Sequence, residues 1–420
     1  MRAMAKALAL AAGLAAACLT GCSPFGGGNF TCETSEQCNP GGMCQPNGFC
    51  SKTDSACTSG QRYEDHSGQN SGVCVGDERV DAGIDSQTGP VCLGASNGLV
   101  KPCFSTAPTG DITLPGAIDT DASAMCMTPM SGGAGYCVIA ANNIQIGDTV
   151  AVSGSKPLVL VANSSITIAS GATLDVASHH SPTQKIGAGA GSPDCMAGTV
   201  PTASGGTGGG GAGGTFAGAG GNGGKGGGGG GGDGGKPSAV QTATTLRGGC
   251  SGQNGINGTF GAGGNGGGAV YLIARTSITI AGAINASGEG GHPGVTGSAG
   301  GGGGGSGGMI GLDAPTINNS GVVFANGASG GEGSGATTAG NLGPEPTTAA
   351  ASAAPASNST SGGDGGGGSA GGATAAGGNG QNGPGGGGGN GGGGGGGGGV
   401  GVIKVFGGGT LGGSRSPTPS

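Results

Sequence analysis

Asp111, Asp119, Asp121 and Asp175 are the residues whose type and spacing come nearest to chemistry. Two carboxylates on one exposed sheet can cleave a glycosidic bond, one as acid and one as base or nucleophile. Strand alternation places Asp175 above Asp119, with Asn285 and Asn326 at the corresponding positions of other repeats. An Asp/Asn ladder at a chain corner more often bonds the local backbone and builds the turn. His179 and His180 are the adjacent imidazole pair. Neighbours on a strand point to opposite faces, so a solvent-exposed turn is expected, with no joint chelation. Ser306, Ser329 and Ser369 each sit in a G-x-S-x-G match. That elbow needs a strand, a sharp turn, a helix, and His and acid partners. No helical periodicity follows any of the three, and 116 glycines in 420 residues make such matches by chance. GGDGG around Asp233 and Asp364 lacks the apolar residue and the nine-residue period of calcium-binding repeats. No catalytic residue, cofactor or metal ligand is expected, and the chain does not read as an enzyme.

Cysteine chemistry is the stronger signal. Of 14 cysteines, Cys18 and Cys22 fall in or beside an apolar leader, which leaves 14 − 2 = 12. Cys32, Cys38, Cys44, Cys50, Cys57 and Cys74 crowd a Gly/Pro/Asn-rich segment with little apolar content, as in modules held by bridges instead of a core. Zinc is the competing reading, but there is no CxxC pair and the nearby imidazole is His66 alone. Cys57 is expected to pair with Cys74, and the first four cysteines to interleave. Further on, Cys92 pairs with Cys103 and Cys126 with Cys137, at the end where the strand repeats need a cap. Cys195 pairs with Cys250, closing a long loop and removing ~4 kcal/mol of unfolded-state entropy on the chain-entropy model.

The elements that must hold these residues are short β-strands. Leu158 to Ser178 (LVLVANSSITIASGATLDVAS) recurs at Val270 to Ser287 (VYLIARTSITIAGAINAS). Ile166, Ile168 and Leu174 align with Ile278, Ile280 and Ile284, with Gly171 and Gly282 at the corner; Thr167 and Thr279 face the other way. Ile112, Leu114, Gly116 and Ile118 make a half-unit, and Val138 to Gly154 a full one. Val138 and Val159 set a repeat of about twenty-one residues. Ile310 to Asn326 is a degenerate copy, and Val402 to Phe406 a last strand with Lys404 as an edge gatekeeper. Thr113, Thr167 and Thr279 form an outward ladder, interrupted by Gln145 and Asn318. Units of this kind resemble a parallel β-helix, which implies an all-β, right-handed solenoid of about five coils. An antiparallel sandwich of the same strands is the alternative.

Three glycine-rich stretches, about 187–268, 288–308 and 327–399, each leave one strand unit and return at the next, so they read as excursions from a single corner. Polyglycine packs as hydrogen-bonded extended helices or stays disordered, and composition leaves both open; consecutive glycines break the Gly-X-Y rule of collagen. Pro344 to Ser361 reads as a flexible linker.

Arg2 and Lys6 precede an apolar run from Ala7 to Leu19, the pattern of an export leader and too short for a comfortable membrane span. Leu19-Thr20-Gly21-Cys22 resembles a bacterial lipobox, which implies cleavage before Cys22 and acylation of its thiol. Ser23 is not the aspartate that favours inner-membrane retention, so the resemblance implies an outer-membrane anchor, lipid-held and facing the cell surface. The run from Thr31 to Val75 resembles the EGF-like segments that follow the lipobox in predicted myxobacterial lipoproteins, and it implies an interaction or spacer module. The net charge of −7 is concentrated towards the N-terminal side, and no basic patch exists for nucleic acid. Without Trp and with 3% aromatics, an aromatic-lined cavity is not expected.

These readings divide the chain into a leader at 1–21, a cysteine-rich module at 22–75 and a linker at 76–90. The cap and first coils follow at 91–186, then an excursion at 187–268, a coil at 269–287, an excursion at 288–308 and a coil at 309–326. A low-complexity excursion at 327–399 and a final strand and tail at 400–420 complete it. The expected role is a non-enzymatic surface scaffold with the membrane, matrix, polysaccharide or other cell-surface proteins as partners. A polysaccharide-binding or polysaccharide-cleaving protein is the alternative.

Overall fold

The computed structural model describes residues 31–67, 70–76, 90–180, 184–227, 230–349, 353–357, 361–385 and 390–420. The leader and Cys22 lie outside these residues. The chain divides into two compact units, Met1–Ser86 and Gln87–Ser420.

In the first unit an antiparallel sheet of Met43–Cys44, Cys50–Thr53 and Gln61–Tyr63 is pinned by Cys32–Cys44, Cys38–Cys50 and Cys57–Cys74. The first four cysteines interleave. Tyr63 is buried, and its hydroxyl accepts a hydrogen bond from Asn47 Nδ2 at 2.6 Å. One aromatic ring and three bridges take the place of a larger core.

The second unit is built on three parallel sheets. The first joins, in order, Cys137–Ala141, Leu158–Ala162, Ala269–Ala274, Met309–Asp313 and Val402–Phe406. The second joins Asp111–Thr113, Asn143–Ile146, Ser165–Ile168, Ser277–Ile280 and Thr316–Asn319. The third joins Ala117–Asp119, Val150–Ser153, Thr173–Asp175, Ala283–Asn285, Val322–Phe324 and Ser414–Ser416. Ile166 pairs with Ile278, Ile168 with Ile280 and Leu174 with Ile284. In the second and third sheets the β-branched and leucine residues at alternate positions point into one apolar core, and the polar residues between them face out.

The first sheet is buried on both faces, which explains why LVLVA and AVYLIA show no polar alternation. Leu158, Leu160, Val270 and Leu272 enter the core shared with the other sheets. Val159, Val161, Tyr271 and Ile273 lie opposite, under Val91, Leu93, Val100 and Phe104. The Cys92–Cys103 bridge sits in this covering segment, so it clamps a side cover and not the end cap expected. Ala95 N–H donates to Asp313 Oδ2 at 2.7 Å, and Tyr271 Oη donates to the same oxygen at 2.8 Å. Burial and the Asp313 carboxylate push the Tyr271 pKa up. Cys126–Cys137 lies at the open edge of the first sheet, where Met127 N–H donates to Val138 O at 2.8 Å.

The expectation of a right-handed parallel β-helix is corrected here. The strands form three separate parallel sheets, and no closed coil runs through them. From the third sheet back to the first the chain runs directly only from Ser153 to Leu158; elsewhere it passes through residues 120–136 and through the glycine-rich stretches 176–268, 286–308 and 325–401. Those glycine stretches are not loops either. Among the described residues, 207–216, 284–291, 298–308, 323–335 and 391–400 are buried almost throughout and pack against one another, while 202–206, 336–339 and 371–382 lie largely at the surface.

Residues 298–308 show how. From Gly300 onward their N–H groups donate in turn to three neighbouring segments. Gly300, Gly303 and Ser306 reach Ile256, Gln253 and Cys250; Gly302, Gly305 and Gly308 reach His292, Glu289 and Ala286; Gly301, Gly304 and Gly307 reach Gly393, Gly396 and Gly399. Their carbonyls accept from three more segments, through Gly211 and Gly214, through Gly261 and Gly264, and through Ala328 and Gly331. Partners therefore recur every third residue in all six directions, the period of an extended threefold helix that has no internal hydrogen bonds. Glycine is required because the segments touch backbone to backbone: a Cβ on Gly303 would land on the Ala212 carbonyl, far inside 3.0 Å. The array continues the first sheet, with Met309 N–H donating to Gly268 O and Val402 N–H to Gly308 O. Of the two states that composition leaves open, the described glycine residues adopt the ordered one.

Candidate functional site

The sequence-derived carboxylates do not assemble. In the third sheet Ala117 pairs with Ala151 and Ala151 with Asp175, whereas Asp119 pairs with Ser153, so Asp175 and Asp119 stand in different rows. Asn285 shares the row of Asp175, and the next partner in that row is Phe324, not Asn326. Asp119 Oδ1 accepts from the Asp121 N–H at 2.9 Å, and Asp121 accepts from Ser155 N and Oγ at 2.6 Å each. Asp111 accepts from the side chains of Asn142 and Asn143, which hold its carboxyl below the usual range. These are turn- and ladder-building contacts. The elbow serines are consumed in the same way. Ser306 Oγ accepts from Cys250 N–H at 2.8 Å, and Ser329 and Ser369 Oγ donate to the carbonyls of Ala354 and Gly398. Lys404, expected as an edge gatekeeper, donates to Ala243 O at 2.7 Å.

The outward ladder of the second sheet keeps its register, running Thr113, Gln145, Thr167, Thr279 and Asn318.

A different cluster forms where no chemistry is expected from the sequence. Three of the chain's 4 histidines, His179, His180 and His292, gather with Asp175, Glu289, Glu345 and Lys185. Asp175 ends a third-sheet strand; the backbone then doubles back, so that His179 pairs with Lys185 in an antiparallel bridge. Glu289 and His292 belong to a glycine segment, where their carbonyls accept from Gly305 and Gly302. Glu345 arrives from the stretch read as a flexible linker. For the described residues of that stretch the reading is corrected: Pro344 O accepts from Ser329 N–H, Thr348 O from Asn326 Nδ2, and Ala353 and Ala356 are buried.

His179 is held on both sides. Its Nε2 lies 3.1 Å from Asp175 Oδ2 and its Nδ1 lies 2.8 Å from Glu345 Oε2. Burial alone would lower its pKa, but hydrogen bonds and charge from Asp175 and Glu345 raise it to about 9. Asp175 is lowered in spite of its burial, because His179 and Lys185 both favour its charged form. Lys185 is also lowered, since desolvation outweighs the attraction of Asp175, from which its Nζ stands 2.8 Å away. Glu289 is fully buried, yet its carboxyl is lowered by His292 and by the backbone and side chain of Asn265.

His180 Nδ1 lies 2.7 Å from Glu345 Oε1, but the approach is off the direction a hydrogen bond needs, so this buried nitrogen has no hydrogen-bond partner. The expected solvent-exposed turn at His179 and His180 is thus a partly buried ionic junction. A sequence signal existed in the scarcity of histidine, but the glycine segments that bring residues 289–292 and 345 to this place show no periodicity to predict it.

Because His179 has a folded-state pKa above its unfolded value of about 6.5, its stabilising contribution is full below that pH and is lost as pH rises through about 9. The melting temperature of the wild type is expected to fall between pH 7 and pH 10 by more than that of His179→Gln. Equal slopes for the two proteins would refute the charged junction.

A cleft of 510 Å³ lies in the first unit, lined in part by Gln37, Asn39, Lys52, Glu64 and His66, with Asn39 Nδ2 donating to Glu64 Oε2 at 2.6 Å. Among the described residues the one group of three candidate metal-binding side chains with ligand atoms within 4.8 Å of one another is Cys32, Cys38 and Cys50, and all three sulfurs are in disulfides. No described helix is long and apolar enough to cross a membrane. No protein-family model, curated protein or solved structure matches the chain.

Proposed function

We propose that the protein is a non-enzymatic, rigid scaffold, lipid-anchored through Cys22 to the bacterial outer membrane and displayed for adhesive or matrix contacts. The observation that carries this reading is the glycine array, in which 298–308 is hydrogen-bonded to six surrounding segments. Such a lattice suits a load-bearing body better than a site that must move during turnover. The consumption of Asp119, Asp121, Ser306, Ser329 and Ser369 in structural bonds supports the same reading. The leader and the lipobox resemblance support the anchor, and six disulfides suit an oxidising compartment.

Protease treatment of intact cells is expected to cleave the wild-type chain, and Cys22→Ser is expected to release it from the membrane fraction. The purified protein is expected to bind cells or matrix without turning over labelled glycans. Complete protection on intact cells would eliminate display. Glycan turnover abolished by Asp119→Asn or Asp175→Asn would overturn the scaffold in favour of a polysaccharide-cleaving protein.

A further inference from the structure

The geometry points to a transition-metal site of the zinc, nickel or copper class formed by His180, His292 and Glu345, a role that does not depend on the scaffold reading. Three separate stretches of chain bring these side chains to one place, and imidazole with carboxylate is a donor set such ions take.

Four features converge. First, His180 Nδ1 is buried without a hydrogen bond and faces Glu345 Oε1 at 2.7 Å. A buried nitrogen left in this way is costly, and a nearby ion is one of the few groups that satisfies it together with a carboxylate oxygen. Second, the rings of His180 and His292 have centroids 6.1 Å apart with an interplanar angle of 60°. A ring centroid lies roughly 3.2 Å from an ion bound at about 2.0 to 2.1 Å, so two imidazoles on one ion have centroids no more than about 6.4 Å apart. The pair is already inside that limit. Third, His292 is oriented by Glu289, whose Oε1 lies 3.4 Å from Nε2, so Nδ1 is the nitrogen presented to an ion. Fourth, Glu345 is oriented through its other oxygen by His179, which Asp175 holds in turn. Carboxylate–imidazole supports of this kind are what fix the tautomer and direction of metal ligands.

The donors must still rearrange around an ion: the three ligand atoms are not within 4.8 Å of one another, and His180 Nδ1 and Glu345 Oε1, at 2.7 Å, must open towards the roughly 3.3 Å that separates two donors of a tetrahedral ion. His292 can do this: its main chain is fixed by the array, where Gly302 N–H donates to its carbonyl, while its side chain is 36% exposed and turns about its own bonds. His179 is not available as a ligand, because both of its nitrogens are engaged by carboxylates.

The test is titration of the intact, metal-stripped chain with zinc alone, followed by calorimetry and by thermal melting. One zinc per chain is expected, with a Kd in roughly the micromolar range or tighter and a rise in melting temperature. His292→Ala and His180→Ala are each expected to abolish the uptake. Glu289→Gln, which changes a support and not a ligand, is expected to weaken it by roughly 10- to 100-fold. His66→Ala, in the other unit, serves as the control and is expected to bind as the wild type does. Removing His292 also takes one partner from the buried Glu289 carboxylate, so His292→Ala is expected to melt below the metal-free wild type but still in one cooperative transition that zinc no longer raises, which separates lost binding from lost folding. Absence of saturable uptake by the wild type below about 100 µM zinc would overturn the site, as would unchanged uptake by both histidine variants.

Discussion

Gly303→Ala is expected to destabilise the second unit severely, whereas Gly372→Ala is expected to leave it unchanged or slightly more stable. Both replace a glycine in a low-complexity stretch, so composition predicts no difference. At Gly303 the added carbon would strike the Ala212 carbonyl, and the adjoining Gly302 and Gly304 face the carbonyls of Ala262 and Ala328 just as closely. The segment cannot shift from one neighbour without pressing on another. Overpacking costs about 1–3 kcal/mol where a core can yield. Here separation also stretches hydrogen bonds to Gln253 and from Gly264, each worth ~1 kcal/mol net, so a loss of about 3 kcal/mol or more is expected. At Gly372 nothing lies within 4 Å of the added carbon and φ is not in the left-handed region. There the loss of chain entropy in the unfolded state stabilises by about 0.4–1 kcal/mol. Thermal melting of the two variants beside the wild type decides the matter. Similar melting temperatures for all three would show that the glycine segments do not pack in this register.

The contrast between these glycines marks the limit of what the sequence discloses. The strand register was legible because β-branched alternation has a period of two and a slip by one residue would expose the isoleucines; Ile166, Ile168 and Leu174 fall opposite their predicted partners. The glycine segments have no side-chain alternation. Their order comes from backbone groups, which every residue possesses, and nothing in the letters says which carbonyl Gly301 will meet. Without that information the stretches look like corner loops, and the strands between them look like a continuous coil.

The same blindness hid the histidine junction. His179 and His180 were conspicuous as a pair, but the alternation rule, which sends neighbours to opposite faces, does not apply outside a strand, and both rings meet the carboxylate of Glu345. Their partners could not be foreseen. Glu289, His292 and Glu345 are carried in by segments whose path depends on the array. Conversely, the Asp111 to Asp175 series was conspicuous and proves to serve the turns, because a difference of two positions in register moves Asp175 out of the row of Asp119.

The double variant Cys195→Ser/Cys250→Ser is expected to lose about 4 kcal/mol, the most of any of the six bridges in the chain-entropy model. The reason is sequence separation: this bridge spans 55 residues, whereas the others span 11 to 17. The enclosed stretch includes 207–227, whose members donate to 298–308 and both donate to and accept from 391–401, so the bridge shortens the search that brings array segments together. Local packing adds to the entropic effect. Cys250 is buried, its carbonyl accepts from Ser306 N–H, and the neighbouring Arg247 guanidinium lies 4.1 Å from the centre of the Phe216 ring and donates to Gln241 Oε1. None of the array hydrogen bonds passes through sulfur, so the variant can still form them, but they open at a lower free-energy cost. Amide exchange is therefore expected to accelerate throughout 207–257 in the double variant, by roughly the thousandfold that 4 kcal/mol allows, while the first unit, which keeps its own three bridges, exchanges as before. Retained protection at Gly211, Gly214 and Gln253 in the variant would mean that backbone hydrogen bonding alone assembles the array and that the bridge is dispensable to it.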